Sequence, residues 1–243
     1  MKCIALYHVR FEDLGAFAEP LKQAGYDIAY RHAGCEPLSL AAWEQTDLIV
    51  ILGGPIGATD TDRYPWLASE VAGVRRRLLS GRPTLGICLG AQLMAVAVGG
   101  SVTRRRDASG TPALEIGWSA LALDGEAGPL EALREVAVLH WHGDNIVLPE
   151  GVASLASTQA TPCQAFQVGR YALALQFHAE FSGVALEQWL TGHAVELANG
   201  GVDLQRLRRD TARFSETMTN AGVAVLRSWL LAIHSRSEHL DRR

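Results

Sequence analysis

The stretch T-L-G-I-C-L-G-A-Q-L-M-A-V-A-V, which runs from Thr84 to Val98, contains the pattern that decides the fold. Thr84 to Ile87 predicts a short strand that follows a Gly-Arg-Pro turn. Leu89 to Val98 predicts a helix, which Gly99-Gly100 closes. A strand that leads directly into a helix is the building unit of proteins whose parallel sheet is covered by helices. The stretch therefore predicts an α/β fold.

The chain before this stretch repeats the alternation of strand and helix. Cys3 to Tyr7 and Tyr26 to Tyr30 predict strands, and Leu14 to Ala24 between them predicts a helix. Leu48 to Leu52 is an uninterrupted apolar run, which is typical of a strand buried on both faces of a parallel sheet. Pro65 to Leu79 predicts the helix that follows it. The first half of the chain therefore indicates one parallel sheet.

The chain after the stretch has a different character. Apolar segments separated by turns predict a mixed or antiparallel portion packed on the parallel sheet, and they are Ala113 to Leu123, Val136 to Leu139, Ala153 to Ala156 and Gln164 to Phe177. Gly183 to His234 is predicted to be mostly helical. No repeat or linker interrupts the sequence. We therefore expect a single domain over 1–243, with a core of about 1–185 and a helical extension of about 183–240.

The composition limits the classes of function. With 48% hydrophobic and 20% charged residues, the 243-residue chain has the composition of a globular protein. Its 22 basic and 26 acidic residues give a net charge of −4, which offers no attraction for nucleic acid or an anionic membrane. No stretch approaches the roughly 18 uninterrupted apolar residues of a membrane-spanning helix. We therefore expect neither nucleic acid nor a membrane as a partner.

The four cysteines are scattered along the chain. Cys3, Cys35, Cys88 and Cys163 form no C-x-x-C pair, so the spacing suggests neither a zinc knuckle nor a disulfide framework. The N-terminal apolar run is too short for the core of a signal peptide. We therefore expect a reducing, cytoplasmic location, with three cysteines serving as small apolar residues.

Two arginine triplets are predicted to be solvated. Arg75 to Arg77 lie near the C-terminal end of a predicted helix, where cations complement the helix dipole. Arg104 to Arg106 lie in a predicted loop, and contact with an anionic substrate or partner is the alternative there.

Cys88 stands inside the pattern G-x-C-x-G, formed by Gly86 to Gly90. This is the cysteine form of the nucleophile elbow, in which flanking glycines leave room for a sharp turn from strand to helix. We expect the N–H groups at the start of the helix to lower the pKa of the thiol. The alternative is a buried structural cysteine near a helix start, but the strand before it and the helix after it favour the elbow.

A nucleophilic thiol needs a base, and the base needs a group that orients it. His178 and Glu180 offer both, because residues two apart on an extended segment project from the same side. An oxyanion also needs donors. The backbone N–H groups of Leu89 and of Gly54, the latter at the end of a neighbouring strand, are the candidates, because ligand sites of open α/β sheets lie at the C-terminal strand ends.

Four segments together resemble the class I (triad) glutamine amidotransferase domain. They occur in the family's order over roughly residues 45 to 185, and they are Gly53-Gly54-Pro55, Gly86 to Gln92, His140 to Asp144 and Gln176 to Glu180. The stretch from Gly53 to Leu67 and the run His142-Gly143-Asp144 look like stand-alone proteins similar to the glutaminase domain of GMP synthase. One departure is Ala179, where the family usually has proline.

The resemblance implies a fold, a reaction and a set of site residues. The fold is three-layered and flavodoxin-like, with a mostly parallel central sheet flanked by helices and a small antiparallel portion. In the reaction, Cys88 attacks the side-chain amide of glutamine, His178 moves protons, Glu180 orients His178, and a γ-glutamyl thioester forms before water releases glutamate. Gly54 and Leu89 would hold the oxyanion. The residues implied to border the glutamine pocket are Gly53, Gln92, His142 and Gly143.

The resemblance also bears on partners. It implies a small-molecule substrate and no cofactor. Nothing after about residue 185 resembles an ammonia-using module, and no P-loop is present, so an ammonia-accepting synthetase would have to be another chain. A homodimer is left open.

Three other interpretations remain beside this one. A γ-glutamyl peptidase acting on glutathione-like compounds would use the same thioester. A catalytically silent binding or regulatory protein would keep the fold alone. His140-x-His142-x-Asp144 has a spacing that can present ligands to zinc, but Asn145 follows where the familiar metal-binding version continues with histidine, so we expect no metal.

Overall fold

The computed structural model describes residues 1–123, 125 and 127–235. The strands are β1 (Lys2–Tyr7), β2 (Asp27–His32), β3 (Leu48–Ile51), β4 (Thr84–Ile87), β5 (Ser101–Arg104), β6 (Glu115–Ala120), β7 (Ala122–Leu123), β8 (Ala137–His142), β9 (Asp144–Val147), β10 (Ser154–Ser157), β11 (Ala165–Val168) and β12 (Ala172–Leu175). The helices are α1 (Ala18–Gln23), α2 (Leu40–Gln45), α3 (Trp66–Leu79), α4 (Leu89–Ala97), α5 (Leu186–Gly192), α6 (Ala194–Asn199) and α7 (Leu204–His234). Short 3-10 turns cover Gly15–Phe17, Gly128–Leu133 and Gly183–Ala185.

An eight-stranded sheet in the order β2-β1-β3-β4-β12-β11-β10-β7 forms the centre of the molecule. The pairings from β2 to β12 are parallel, and those from β12 to β7 are antiparallel. Every residue of β3, β4 and β12 is buried, because these strands lie in the interior of the sheet with both faces covered. The predicted mostly parallel sheet with a smaller antiparallel portion is confirmed.

The side chains of β3 show how the layers are arranged. Ile49 and Ile51 pack into an apolar cluster with residues of α2, α3 and α4. Leu48 and Val50 face the opposite cluster, which includes residues of α1, α5 and α7. Alternate residues of a strand point to opposite faces of the sheet, so one apolar run supplies two cores. The predicted three-layer α/β fold is confirmed.

The C-terminal helices share one of these cores. Trp189 of α5 and Trp229 of α7 are buried in the same cluster as the sheet residue Leu48. The helix α7 also packs against β6 and β8. The predicted helical character of Gly183 to His234 is confirmed, and residues 236–240 of the expected extension lie outside the described residues. No helix in the described part of the chain combines the length and the apolar character that crossing a bilayer requires.

Two antiparallel ribbons lie beside the large sheet, and the sequence patterns predict them only in part. The ribbon of β6 and β8 places Glu115 opposite His142. The ribbon of β5 and β9 places Arg104 opposite Asp144, so the prediction of a loop at Arg104 is wrong. A four-residue strand whose partner is distant in the chain carries no local periodicity, which explains the missed β5 and β9. The predicted strand Gln164 to Phe177 is a hairpin of β11 and β12, turned at Gly169 with φ of 57°.

The prediction that the whole triplet Arg75 to Arg77 is solvated is also wrong. Arg75 and Arg76 are exposed, but Arg77 is fully buried, because α3 turns it inward together with Leu78. Burial lowers the pKa of Arg77 to about 10. Its guanidinium donates to the carbonyl oxygens of Trp43 (2.6 Å), Thr46 (3.0 Å) and Pro83 (2.6 Å) and to Oγ1 of Thr84 (3.2 Å).

Candidate active site

Cys88 lies between the end of β4 and the start of α4. Its φ is 51° and its ψ is −106°, a conformation that a residue with a side chain adopts only under strain. The Cys88 N–H donates to the carbonyl oxygen of Leu175 on the neighbouring strand (2.7 Å), and its carbonyl oxygen accepts from the N–H of Gln92 (3.1 Å). These bonds to both sides hold the strained residue at the C-terminal edge of the parallel strands.

The two flanking glycines are required by packing. A Cβ on Gly86 would lie 2.5 Å from Sδ of Met94, and a Cβ on Gly90 would collide with the carbonyl oxygen of Ile51. The close approach of β4, α4 and β3 therefore leaves no room for side chains at either position. The geometry is that of a sharp strand–turn–helix connection with the thiol at its apex.

His178 and Glu180 form a buried hydrogen-bonded pair. The Nδ1 atom of His178 lies 2.7 Å from Oε1 of Glu180, and the two residues are 1% and 2% exposed. The sequence pattern predicts an extended segment here, but the chain turns, because the N–H of Phe181 donates back to the carbonyl oxygen of His178 (3.4 Å). The pairing is therefore made by a turn that follows β12, and the N–H of His178 is anchored on the carbonyl oxygen of Leu139 (2.9 Å).

The charges of this pair depend on the neighbours. Burial alone would lower the pKa of His178, but the charge and hydrogen bond of Glu180, together with Cys88, raise it well above its ordinary value. Burial raises the pKa of the Cys88 thiol, and the hydrogen bond with His178 opposes this only in part. The expectation of a lowered thiol pKa is therefore wrong for the free site, since desolvation outweighs the favourable partners. The Sγ atom lies 3.6 Å from the carbonyl oxygen of Trp141, to which a neutral thiol donates.

Gly54 and Leu89, the residues that carry the two candidate oxyanion donors, lie close together. Leu89 is the first residue of α4, where a helix leaves its N–H groups without intrahelical partners. A Cβ on Gly54 would lie 3.2 Å from Cδ2 of Leu89. The structure therefore brings Gly54, Leu89 and Cys88 to one edge of the sheet.

The residues expected to border the glutamine pocket lie in different parts of the structure and have different partners. Gln92 lies in α4, and its side-chain amide donates to Oε1 of Gln176 (3.3 Å). The ring of His142 lies 3.3 Å from Oε2 of Glu115, and its Nδ1 lies 3.1 Å from the carbonyl oxygen of Asp144. His142 is thus engaged within the ribbon, and its side chain is committed to these partners. Gly143 lines a cavity.

The H-x-H-x-D motif does not assemble as its spacing suggests. Glu115, His140 and His142 offer ligand atoms within 4.8 Å of one another, whereas the carboxylate of Asp144 pairs with Arg104 (3.3 Å). Glu115 accepts hydrogen bonds from Thr158 (2.7 Å), Thr161 (2.5 Å) and Gln164 (3.0 Å). Although burial opposes it, the bonds from His142 and Thr161 lower the pKa of Glu115 to about 2, and burial lowers the pKa of His140 to about 4.

The site also contains residues that the sequence patterns did not indicate. Glu12, from the loop after β1, is 4% exposed, and its carboxylate fills the space where a Cβ on Gly53 would lie. The same position is 3.3 Å from Cε1 of His178. Glu12 Oε1 lies 3.1 Å from Nε2 of His193, which follows α5. A second buried carboxylate–histidine pair therefore adjoins the first.

The α5 and α6 helices border the site directly. The indole of Trp189 packs edge-on against the His178 ring, with 4.8 Å between the ring centroids. Its Nε1 donates to the carbonyl oxygen of Phe11 (3.0 Å), and the Nε1 of Trp141 donates to Oε2 of Glu196 (3.1 Å). The only sequence signal for these contacts is the helical spacing of Trp189, His193 and Glu196, at i, i+4 and i+7 on one face.

A cavity of about 1260 Å³ opens beside the site. The β6–β8 ribbon forms one wall, and α6 with the start of α7 forms the other. It reaches the candidate site through Pro55 and Gly143, which adjoin Gly54 and His142, while Cys88 is not itself a lining residue. Charged groups of both signs line it: Arg63, Arg104, Arg206, Glu115, Glu196, Asp203 and Asp210.

Comparison with known proteins gives these features a context. A family model described as glutamine amidotransferase class-I matches residues 17–191. The glutamine amidotransferase-like protein YfeJ of Salmonella typhimurium is 29% identical over 207 residues, which are 82% of this chain and 84% of that protein. The glutamine-hydrolyzing GMP synthase of Leifsonia xyli is 39% identical over 108 residues, or 41% of this chain, and the match spans 20% of that synthase.

A solved structure supports the same assignment. The crystal structure of a glutamine amidotransferase from Thermotoga maritima has a TM-score of 0.83 with this chain at 27% sequence identity, covering 94% of this chain and 98% of that one. The family match includes Cys88 and the His178–Glu180 pair, and it extends into α5. The resemblance expected from the four segments is confirmed: the chain belongs to the class-I glutamine amidotransferase family.

Proposed function

We propose that this chain hydrolyses the side-chain amide of glutamine through a γ-glutamyl thioester on Cys88. Family membership supports amidohydrolase chemistry in general. The observation that carries the specific proposal is the strained Cys88 at a strand–helix junction, with the His178–Glu180 pair (2.7 Å) beside it. A thiol, a base and an orienting carboxylate are the groups that acyl transfer needs.

The steps follow from the charges of the free site. Cys88 starts as a thiol, and above the raised pKa of His178 the neutral imidazole, held at Nδ1 by Glu180, takes its proton as Sγ attacks the amide carbon. The N–H groups of Gly54 and Leu89 stabilise the oxyanion. His178 then gives the proton to the nitrogen, the C–N bond breaks and ammonia leaves. Water, deprotonated by His178, attacks the thioester, and glutamate departs as Sγ regains its proton.

An assay of glutamate release from glutamine tests this proposal. Cys88→Ala is expected to abolish release. Cys163→Ala is the matched control, because Cys163 is also a buried free cysteine but pairs with no histidine in the described residues. Full activity of Cys88→Ala would rule out the thioester. Glutamine analogues carrying a diazo-ketone are expected to label Cys88, and a folded protein that resists labelling would favour a silent binding role.

One observation favours a larger substrate as the second candidate. The cavity of about 1260 Å³ exceeds the volume of a glutamine molecule severalfold, and its lining carries both signs of charge. A γ-glutamyl peptide or γ-glutamyl amine would place its leaving group there while its glutamyl part reacts at Cys88. A panel of glutamine, γ-glutamyl peptides and γ-glutamyl amines separates the two candidates by their kcat/KM values.

The fate of ammonia is a separate part of the proposal. A relative is named as a glutamine-hydrolyzing GMP synthase, and this chain matches only 20% of its length. If glutamine is the substrate, we therefore propose an ammonia-accepting synthetase as the partner of this chain. Co-purification of such a synthetase, with glutamine supporting its product only when Cys88 is present, would establish the pairing.

We further propose that Glu115, His140 and His142 form a structural network. The Glu115 carboxylate accepts from Thr158, Thr161 and Gln164, and these bonds satisfy it without an ion. Elemental analysis of purified protein is expected to find no stoichiometric zinc, and one zinc per chain that Glu115→Gln removes would contradict this.

A further inference from the structure

His8 connects the first strand to the candidate oxyanion donor. It follows β1 and is 8% exposed. Its Nδ1 lies 3.0 Å from the carbonyl oxygen of Gly53, and a Cβ on Gly54 would lie 2.7 Å from the Cβ of His8. A carbonyl oxygen only accepts, so Nδ1 carries the proton and donates it. The imidazole of His8 therefore contacts one side of the Gly53–Gly54 peptide and donates a hydrogen bond to it.

That peptide contains the donor that the mechanism uses. The carbonyl of Gly53 and the N–H of Gly54 belong to one planar trans unit, so they point in opposite directions. A bond that fixes the carbonyl therefore fixes the direction of the N–H. Two successive glycines have no intrinsic preference for one orientation of this plane, so the constraint must come from outside the loop.

Glu70 and Trp66 hold His8 in turn. The Nε2 atom lies 3.3 Å and 3.4 Å from the two carboxylate oxygens of Glu70, which is 4% exposed. The imidazole stacks on Trp66, with 5.8 Å between centroids and 23° between planes. Donation from both ring nitrogens requires the imidazolium form. Burial lowers the pKa of His8, but Glu70, the Gly53 carbonyl oxygen and the charge of Glu12 together outweigh burial and raise it. The positive ring polarises the peptide and strengthens the N–H as a donor.

We propose that His8, held by Glu70, is a positioning residue that presets the Gly53–Gly54 peptide with the Gly54 N–H directed at the oxyanion. His8 acts through the peptide and does not touch the substrate. This inference rests on the proposed Cys88 chemistry. It adds that the oxyanion site is already formed in the free chain and depends on a histidine that follows the first strand.

The test compares His8→Phe, which keeps a ring for Trp66 but removes both donors, with His8→Asn, whose amide can still donate to Gly53. Loss of one oxyanion donor lowers kcat by about a hundredfold to a thousandfold in known cases. His8→Phe is therefore expected to lower kcat by about a hundredfold with KM within about threefold, and His8→Asn to restore at least about tenfold. His32→Asn is the control, because His32 ends β2 and packs on Tyr7.

An aldehyde analogue of glutamine gives a second readout. It forms a tetrahedral adduct with Cys88 that needs the oxyanion donors, so His8→Phe is expected to weaken its binding in proportion to the fall in kcat. Unchanged kcat and analogue binding in His8→Phe, with Cys88→Ala inactive, would overturn the inference and leave the function standing. A fall in kcat that tracks a lower melting temperature, without rescue by His8→Asn, would overturn it too. An active Cys88→Ala would instead refute the function.

Discussion

Glu12 Oε1 lies 3.1 Å from Nε2 of His193. This contact connects the loop after β1 to the C-terminal helices beside Cys88. Both side chains are 4% exposed, and the carboxylate of Glu12 abuts Gly53. The charge of Glu12 also contributes to the raised pKa of the Cys88 thiol, behind the larger effect of burial. The helical extension is therefore part of the site and its electrostatics.

Replacing His193 by Phe is expected to destabilise the fold. The change leaves the Glu12 carboxylate buried without this partner, which costs about 2–3 kcal/mol. Urea unfolding of His193→Phe, Glu12→Gln and the double variant measures the coupling between the two residues. Strictly additive effects would contradict an energetic link. The exposed pair Arg76 and Glu44 (2.9 Å) is the matched control, with an expected coupling below about 1 kcal/mol.

Arg77 and Arg76 are expected to differ sharply when each is replaced by methionine. Arg77→Met removes a buried guanidinium and takes its bonds from three carbonyl oxygens, of which, among the described residues, only that of Pro83 keeps another donor, the N–H of Ile49 (3.3 Å). We therefore expect a loss of about 3 kcal/mol or more. Arg76→Met affects an exposed side chain and is expected to cost less than about 1 kcal/mol. Equal midpoints in urea for the two variants would disagree with the buried role of Arg77.

Glu180→Gln is expected to shift the pH profile as well as the rate. In the wild type, Glu180 raises the pKa of His178, so the imidazole loses its proton only above the ordinary histidine value. The acid limb of kcat/KM should therefore lie above about pH 6.5 and move to lower pH in Glu180→Gln, where only Cys88 opposes the effect of burial. The same variant should lose about a hundredfold or more in kcat, since the amide cannot stabilise the imidazolium. An unmoved acid limb would argue against the pair.

Glu115 is expected to make stability depend on pH. Its pKa falls from 4.5 to about 2 in the folded chain, so its contribution is fully present above about pH 4.5 and is lost as the pH falls through about 2. The shift corresponds to about 3 kcal/mol. The difference in unfolding free energy between the wild type and Glu115→Gln should reach this size at pH 7 and shrink toward pH 3. A difference that stays constant over this range would contradict the shift.

Local patterns predicted the parallel sheet and the position of Cys88, because both depend on the types of residues that are consecutive in the sequence. The run Leu48 to Leu52 must be apolar throughout when both faces are covered, and the elbow needs glycines at fixed offsets. These requirements are visible without knowing any distant contact.

Contacts between residues that are far apart in the sequence left no such local pattern. Glu12 and His193 are in contact although they are far apart in the sequence. The residues next to each of them do not indicate that its side chain is buried. Arg76 and Arg77 belong to the same arginine triplet, and the direction of each side chain on α3 decides which one is buried. The sequence predicts a lowered pKa for Cys88 from the start of α4 alone. The burial that raises this pKa instead is produced by residues from the whole site.

The proposed reaction requires the glutamyl group of the substrate to become bound to Cys88 as a γ-glutamyl thioester. Acid quenching during turnover, followed by peptide mass analysis, tests it directly. We expect a glutamyl adduct on the peptide containing Cys88. Cys163→Ala should keep both the adduct and glutamate release, and Cys88→Ala should lose both. Glutamate release that continues in Cys88→Ala, with no adduct on the wild-type peptide, would contradict it.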